Sequence, residues 1–263
     1  GIRDRSPSRG LGDVYKRQEN GEVRWAFTYD CPEERKSFFG PRSTPAVDDD
    51  YVFTMSWNGQ MHCVNARSGQ LVWKKSLPDV GVNEEFGFSL PNWGLACSPL
   101  IHEDTVVYDV GRIVALDRKT GDIKWSTDDF NAAYSSPVVL DVNGKPSIAC
   151  FMRRGLVVVE AETGALLSKY PWNSNGDVNA AMPLLHEGRI FLSSFSGPGC
   201  ALISPTPPEV TVIWQNTNLA NNVSSGVLHD SYLYGFDGQV SDSGGELRCL
   251  DIRTGELKWR HEG

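Results

Sequence analysis

An all-β repeat architecture, with four short strands per unit arranged around an axis, is the fold class that this 263-residue sequence predicts. The first of three observations behind it is a glycine-to-tryptophan phrase that recurs along nearly the whole chain, at Gly21–Trp25, Gly69–Trp73, Gly121–Trp125 and Gly255–Trp259. Two weaker copies fill the gap: Gly164–Ser168 keeps the glycine without the ring, and Val210–Trp214 keeps the ring without the glycine. The second is the spacing. From Trp25 the steps are 48, 52, 43, 46 and 45 residues, a period that marks a repeat array rather than an ordinary domain. The third is that no segment sustains an i, i+3, i+4 apolar stripe over three turns, which sets aside a helical repeat.

Each unit opens with small residues and usually a proline: Ser43-Thr44-Pro45, Cys97-Ser98-Pro99, Ser135-Ser136-Pro137, Ala181-Met182-Pro183 and Ser224-Ser225-Gly226. An acidic or polar turn follows, then a β-branched and aromatic run such as Tyr51-Val52-Phe53 or Thr105-Val106-Val107. A third, apolar piece ends in an acidic or amide residue before a turn. Its clearest copies are Ala115–Gly121 and Cys249–Gly255, with Val159–Gly164 and Val64–Gly69 as variants. Short Val, Ile, Tyr and Phe runs bounded by Asp, Asn, Ser and Gly read as strands joined by tight turns. In Gly121–Trp125, alternation places Ile123 and Trp125 on one face, with Asp122 and Lys124 on the other. The turn glycine supplies a positive φ that a side chain would resist. Four such strands per unit make a β-propeller blade, and about five blades are present. A buried indole removes roughly 150–250 Å² from water, about 4–6 kcal/mol as an upper bound, so one ring per blade would fill the seam to its neighbour.

The run Ala115-Leu116-Asp117-Arg118-Lys119-Thr120-Gly121-Asp122-Ile123-Lys124-Trp125 resembles the quinoprotein-type, or pyrroloquinoline quinone (PQQ)-like, propeller repeat with its tryptophan docking motif. Residues from about 19 to 263 fit it. The WD40 pattern fits less well, since no Trp-Asp dipeptide occurs, and so does kelch, since Gly244-Gly245 stands alone. The resemblance implies seven or eight blades, making this chain a fragment of a larger ring. It covers two functional kinds: alcohol dehydrogenases that bind the quinone with calcium, and a larger group without the cofactor. The second group includes the outer-membrane assembly lipoprotein and many periplasmic or secreted bacterial proteins, so the resemblance implies a periplasmic or secreted location in a bacterial envelope. Fold alone does not choose between the two kinds.

Residues 1–18 differ in character from the array, with five Arg or Lys against two Asp, and look like adaptor- or vector-derived sequence. Set apart from them, the array carries 20 basic and 31 acidic residues, where the full chain has a net charge of −8. That acidity argues against nucleic acid as a partner. No stretch approaches the apolar length of a membrane span, and no signal peptide is visible. The six cysteines, Cys31, Cys63, Cys97, Cys150, Cys200 and Cys249, are scattered singly. Those that fall in repeat registers otherwise filled by alanine, serine or valine read as small buried residues.

His102, His186 and His229 each lie three residues after Pro99, Pro183 or Gly226, so they occupy one register in three different blades rather than converging on an ion. No metal site is expected from them. The serines before the prolines have no paired base, and the short glycine clusters lack a following Lys-Ser pair. The innermost strand and the loops feeding it are the better place for a ligand. There the sequence offers Arg42, Tyr134, Asn179 and Asn222, together with Asn92 and Trp93 from the long Pro78–Ala96 insertion. Arginine, amides and aromatics would hold a polar, planar or anionic group through guanidinium bonds and stacking. These six are the candidate channel or ligand residues; no catalytic residue is expected.

For quinone chemistry the resemblance implies calcium with Glu, Asn and Asp ligands, an aspartate base and, in many members, two adjacent cysteines. No two cysteines are adjacent here, and no acid stands in the inner registers. The expectation is a non-catalytic binding or scaffolding propeller, with no cofactor and with a protein or small polar ligand at the channel or rim. The alternative is a PQQ- and calcium-dependent alcohol dehydrogenase in which Arg42, Asn92 and Trp93 would contact the quinone.

Overall fold

A computed structural model describes residues 11–16, 21–31, 42–48, 50–82, 90–195, 197–238 and 245–262, the first stretch by its backbone alone. It contains five four-stranded antiparallel sheets and one strand pair, each sheet a simple meander in chain order. The pair is β1 (Leu11–Lys16) with β2 (Val23–Tyr29). Thus the backbone of part of the segment set outside the array by its composition pairs with the first repeat strand. The sheets are β3–β6 (Ala46–Lys75), β7–β10 (Leu100–Ser126), β11–β14 (Val138–Pro171), β15–β18 (Leu184–Asn216) and β19–β22 (Val227–Glu262).

In each sheet the second and third strands are the most buried. β8 (Thr105–Asp109) and β9 (Ile113–Asp117), for example, are buried almost throughout, whereas β10 (Ile123–Ser126) buries Trp125 alone. A sheet buried on both faces in its middle strands must have a neighbour on each side. The apolar core is accordingly divided into seams. One joins Phe53, Met61 and Trp73 to Tyr108 and Leu116. The next joins Val107, Ala115 and Trp125 to Ile148 and Val159. Two more lie between the third and fourth sheets and between the fourth and fifth. Five of the six cysteines are buried, four of them in these sheets and Cys97 in the linker before β7, and none is disulfide-bonded.

The indoles stand at matching places. The Trp25 Nε1–H donates to the Ala66 carbonyl at 2.9 Å, Trp73 to Arg118 at 3.0 Å, Trp125 to Ala161 at 3.0 Å and Trp214 to Ile252 at 2.8 Å. Each acceptor belongs to the corner of the following sheet, and the ring lies on that corner's glycine. A Cβ at Gly69, Gly121 or Gly255 would come within 2.6–2.8 Å of the opposing indole, and Gly164 is covered by Trp125 likewise. These glycines also hold φ between 71° and 75°, so both conformation and space call for the missing side chain.

Strict alternation fails where it matters most. A register shift interrupts the third and fourth strands of every sheet just before the indole position, at Cys63/Val64, Ile123/Trp125, Val158/Val159, Leu202/Ile203 and Cys249/Leu250. Such a bulge adds one residue and re-aims the next side chain. Ile123, expected on the Trp125 face, is therefore 46% exposed while Trp125 is 8% exposed.

The small residues that open each unit prove to be a second fastening. Ser43 Oγ donates to the Cys97 carbonyl, and the Thr44 amide donates to Ser98 Oγ at 3.0 Å. The Ser98 amide donates to Ser136 Oγ at 2.9 Å, Ser135 Oγ to the Ala181 carbonyl at 3.2 Å, and the Met182 amide to Ser225 Oγ at 2.8 Å. Each bond joins one unit's opening segment to the next, so the sheets are tied at their first strands as well as by the indoles at their last.

Both weak copies of the repeat fall on one seam. Ser168 occupies the indole position of the third sheet, and the corner of the fourth sheet carries Pro205, Pro207 and Pro208 in place of a glycine. The donor and its receptor are missing together. Trp172 fills the seam instead. It is fully buried, meets Phe151 edge-on at 5.9 Å, and donates its Nε1–H to Ser194 Oγ at 2.7 Å. Tyr170 adds a bond across the same seam, from its hydroxyl to Gln215 Oε1 at 3.1 Å.

Candidate functional site

The meander puts the turns between second and third strands at the same end of the molecule as the linkers that join one sheet to the next. All six candidate residues lie in those linkers, and Arg42, Asn92, Trp93 and Tyr134 stand near one another there. They do not lie on the innermost strands: β3 begins at Ala46 and β11 at Val138, so Arg42 and Tyr134 stand in the irregular segments just before them. Trp93 and Tyr134 approach with ring centroids 5.8 Å apart at 59°. Burial raises the Tyr134 phenol, opposed by the backbone amides of Trp93 and Asn92 and by the charges of Arg153 and Arg42. A half-buried phenol therefore sits against a 41%-exposed indole, with two guanidinium groups in electrostatic reach.

Asn179 and Asn222 are placed differently. Asn179 is fully buried; its Nδ2 donates to the Met152 carbonyl at 2.8 Å and to that of Arg153 at 3.3 Å. Its backbone carbonyl accepts the Tyr134 amide at 3.1 Å. It thus braces the Tyr134 segment against the turn between β12 (Lys145–Met152) and β13 (Gly155–Glu160). Asn222 lies apart, half-buried in the linker between β18 (Thr211–Asn216) and β19 (Val227–His229). His102, His186 and His229 close the first strands of three different sheets.

Sequence reasoning missed Arg153, Asp177 and Asp109. Arg153 is aimed by a 2.7 Å ion pair from its Nε to Asp177 Oδ2. Arg153 stands in a turn and Asp177 in a linker that the repeat does not register. Asp109, at the end of β8, is fully buried behind the Tyr134 linker. Its Oδ1 accepts the Gly111 amide at 3.0 Å, and its own amide donates to Cys97 Sγ at 3.2 Å. Burial pushes its carboxyl up to about 7, against the pull of the Gly111 and Ala133 amides. Because the folded value lies above the unfolded one, the folded state holds the proton between about pH 4 and 7 while the unfolded state releases it. Stability from this group is full below the unfolded value and is lost as pH rises through 7. Asp109→Asn should therefore match the parent near pH 4 and exceed it in melting temperature at pH 8; a difference that does not vary with pH would contradict this.

Chemically, the cluster can stack, donate hydrogen bonds and attract negative charge. It does not suit a calcium–quinone centre. Calcium calls for six to eight oxygens, mostly carboxylate. Here Asp177 is committed to Arg153, Asp109 is fully buried with its carboxyl raised by burial, and no three His, Cys, Asp or Glu side chains converge among the described residues.

Five four-stranded meanders fastened by indoles and serines define a β-propeller of the PQQ-like repeat class. The chain belongs to the family described as outer membrane protein assembly factor BamB, which it matches over residues 12–262. It is similar to BamB of Shewanella oneidensis, with 22% identity over 68% of this chain and 42% of that protein. It is also similar to the quinohemoprotein alcohol dehydrogenase ADH-IIG of Pseudomonas putida, with 30% identity over 60% of this chain and 22% of that one. The crystal structure of BamB from Moraxella catarrhalis superposes with a TM-score of 0.71 at 15% identity, covering 97% of this chain and 71% of that chain. The chain spans less than half the length of the curated relatives it matches.

Proposed function

We propose that this chain is a non-catalytic binding or scaffolding propeller of the bacterial cell envelope, periplasmic or secreted, that contacts a protein partner through the face bearing Arg42, Trp93, Tyr134 and Arg153. The observation that carries the reading is the exposed Trp93 ring against Tyr134 with two arginines beside it. Tryptophan, tyrosine and arginine are the residues in which protein interfaces concentrate their binding energy. The family's description as an outer-membrane assembly factor supports a partner in that machinery. No described helix is long and apolar enough to cross a membrane, in keeping with an envelope protein that does not span the bilayer by helices.

The test has two arms. The chain is mixed with detergent-solubilised outer-membrane assembly components, and retention is compared for the parent, Trp93→Ala and Arg153→Ala. Each variant should weaken retention by about tenfold or more, as for a residue at an interface centre. In the second arm, PQQ and calcium are titrated into the same protein. Absence of tight binding and of dye-linked alcohol oxidation is expected. Robust turnover, with cofactor affinity lost in Arg42→Ala, would overturn the reading in favour of the quinoprotein dehydrogenase.

A further inference from the structure

Beside the Tyr134 cluster, but separate from it, the third sheet holds a cavity of about 310 Å³. Its floor is apolar: Met152 is 1% exposed and Val157 4%. Phe130 forms a wall on the same face of the sheet, Tyr170 contributes only backbone because its side chain turns to the opposite face, and Lys169 and Arg154, both exposed, stand at the mouth. Gly155, in the lining, holds φ at 135°, and a Cβ there would run into the Tyr170 carbonyl oxygen. The close approach of the β12–β13 turn to β14 (Leu166–Pro171) therefore depends on that glycine, which leaves bare backbone in the cavity.

Charge is what gives the cavity a direction. Among the described residues no carboxylate lines it. Among the described residues neither Lys169 nor Arg154 forms an ion pair, although the chain as a whole is acidic with a net charge of −8. Lys169 is instead drawn over the Phe130 ring, with Nζ 4.3 Å from its centroid. A cation–π contact holds the ammonium at the mouth rather than out in water.

We infer that this cavity is a binding site for an aromatic carboxylate, whose ring enters beside Phe130 over Met152 and Val157 and whose carboxylate pairs with Lys169 and Arg154. An apolar floor takes the ring at a gain that grows with the area buried. A carboxylate replaces the aromatic face as the partner of the ammonium, and the guanidinium offers a forked donor pair. The same chemistry comes from a free organic acid or from a peptide in which an aromatic side chain neighbours an acidic one. Nothing in this assignment depends on the envelope reading above.

The 263-residue chain, labelled with 15N, is titrated with 3-phenylpropanoate, with 3-phenyl-1-propanol as its uncharged counterpart, and with the blocked dipeptide acetyl-Phe-Asp-amide. Saturable shifts at the Gly155 and Leu156 amides are expected with the acid, and about tenfold weaker binding with the alcohol, equivalent to about 1.4 kcal/mol. Lys169→Met should weaken the acid about tenfold and leave the alcohol unchanged. Lys169 is exposed, so this variant keeps the fold, and its amide spectrum verifies that. Binding by the acid but not the dipeptide assigns the site to a small molecule, and binding by the dipeptide assigns it to a partner segment. Equal affinity for acid and alcohol, an unaltered Lys169→Met, or no shift at Gly155 with either charged probe would overturn the assignment.

Discussion

Replacing Trp125 by alanine is expected to destabilise the protein by about 3–5 kcal/mol, the range for emptying a buried aromatic site. The indole is 8% exposed, donates to the Ala161 carbonyl, and covers Gly164 of the next sheet. Its loss opens a cavity between two sheets, strands a carbonyl and uncovers a glycine corner at once. Because each sheet touches only its neighbours, the damage concentrates at one seam. The matched control is Trp259→Ala. Trp259 occupies the same register in the fifth sheet, but it is 44% exposed and its N–H meets no protein acceptor among the described residues. Its removal should cost about 1 kcal/mol or less, in line with a largely exposed position. Urea denaturation of the two variants separates the cases, and equal losses would contradict the seam role.

Trp172→Ala should be as costly as Trp125→Ala, about 3–5 kcal/mol, although Trp172 lies outside the repeat. It is 1% exposed, packs edge-on against Phe151 and donates to Ser194. The seam it fills lacks both the indole and the glycine found elsewhere. For the same reason, restoring the repeat residue alone should fail. Ser168 is 3% exposed, and the corner its register addresses has no glycine to receive a ring. Ser168→Trp is therefore an overpacking change, costing about 1–3 kcal/mol. A stabilised Ser168→Trp variant would show that the two deviations arose independently.

How much of this was legible in the sequence depends on whether it repeats. The sheets and their order follow from the period, since glycine corners and indoles recur at fixed distances. The paired loss at the third seam was also visible, as two weak copies, but its meaning needed the geometry that sets Ser168 of one sheet against the corner of the next. The bulge before each indole was hidden: a strand read by plain alternation buries Ile123, and only an added residue turns Trp125 inward while leaving Ile123 out. At the site, the aromatic and arginine candidates Trp93, Tyr134 and Arg42 came within reach of one another because they feed neighbouring first strands. Asn179, one position further back in its unit, is buried as a brace. Arg153, Asp177 and the Phe130 cavity come from turns whose length and composition differ from unit to unit, so no periodic signal marks them.

Hydrogen exchange of the indole N–H protons, followed by NMR, tests the central claim most directly. Seam indoles can exchange only when two sheets part, whereas an undocked ring exchanges from the closed state. The protons of Trp73, Trp125, Trp172 and Trp214 should exchange at least about a hundredfold more slowly than that of Trp259, a gap equivalent to about 2.7 kcal/mol of opening free energy. Uniform fast exchange, or a Trp259 as protected as the rest, would mean that these rings do not fasten one sheet to the next.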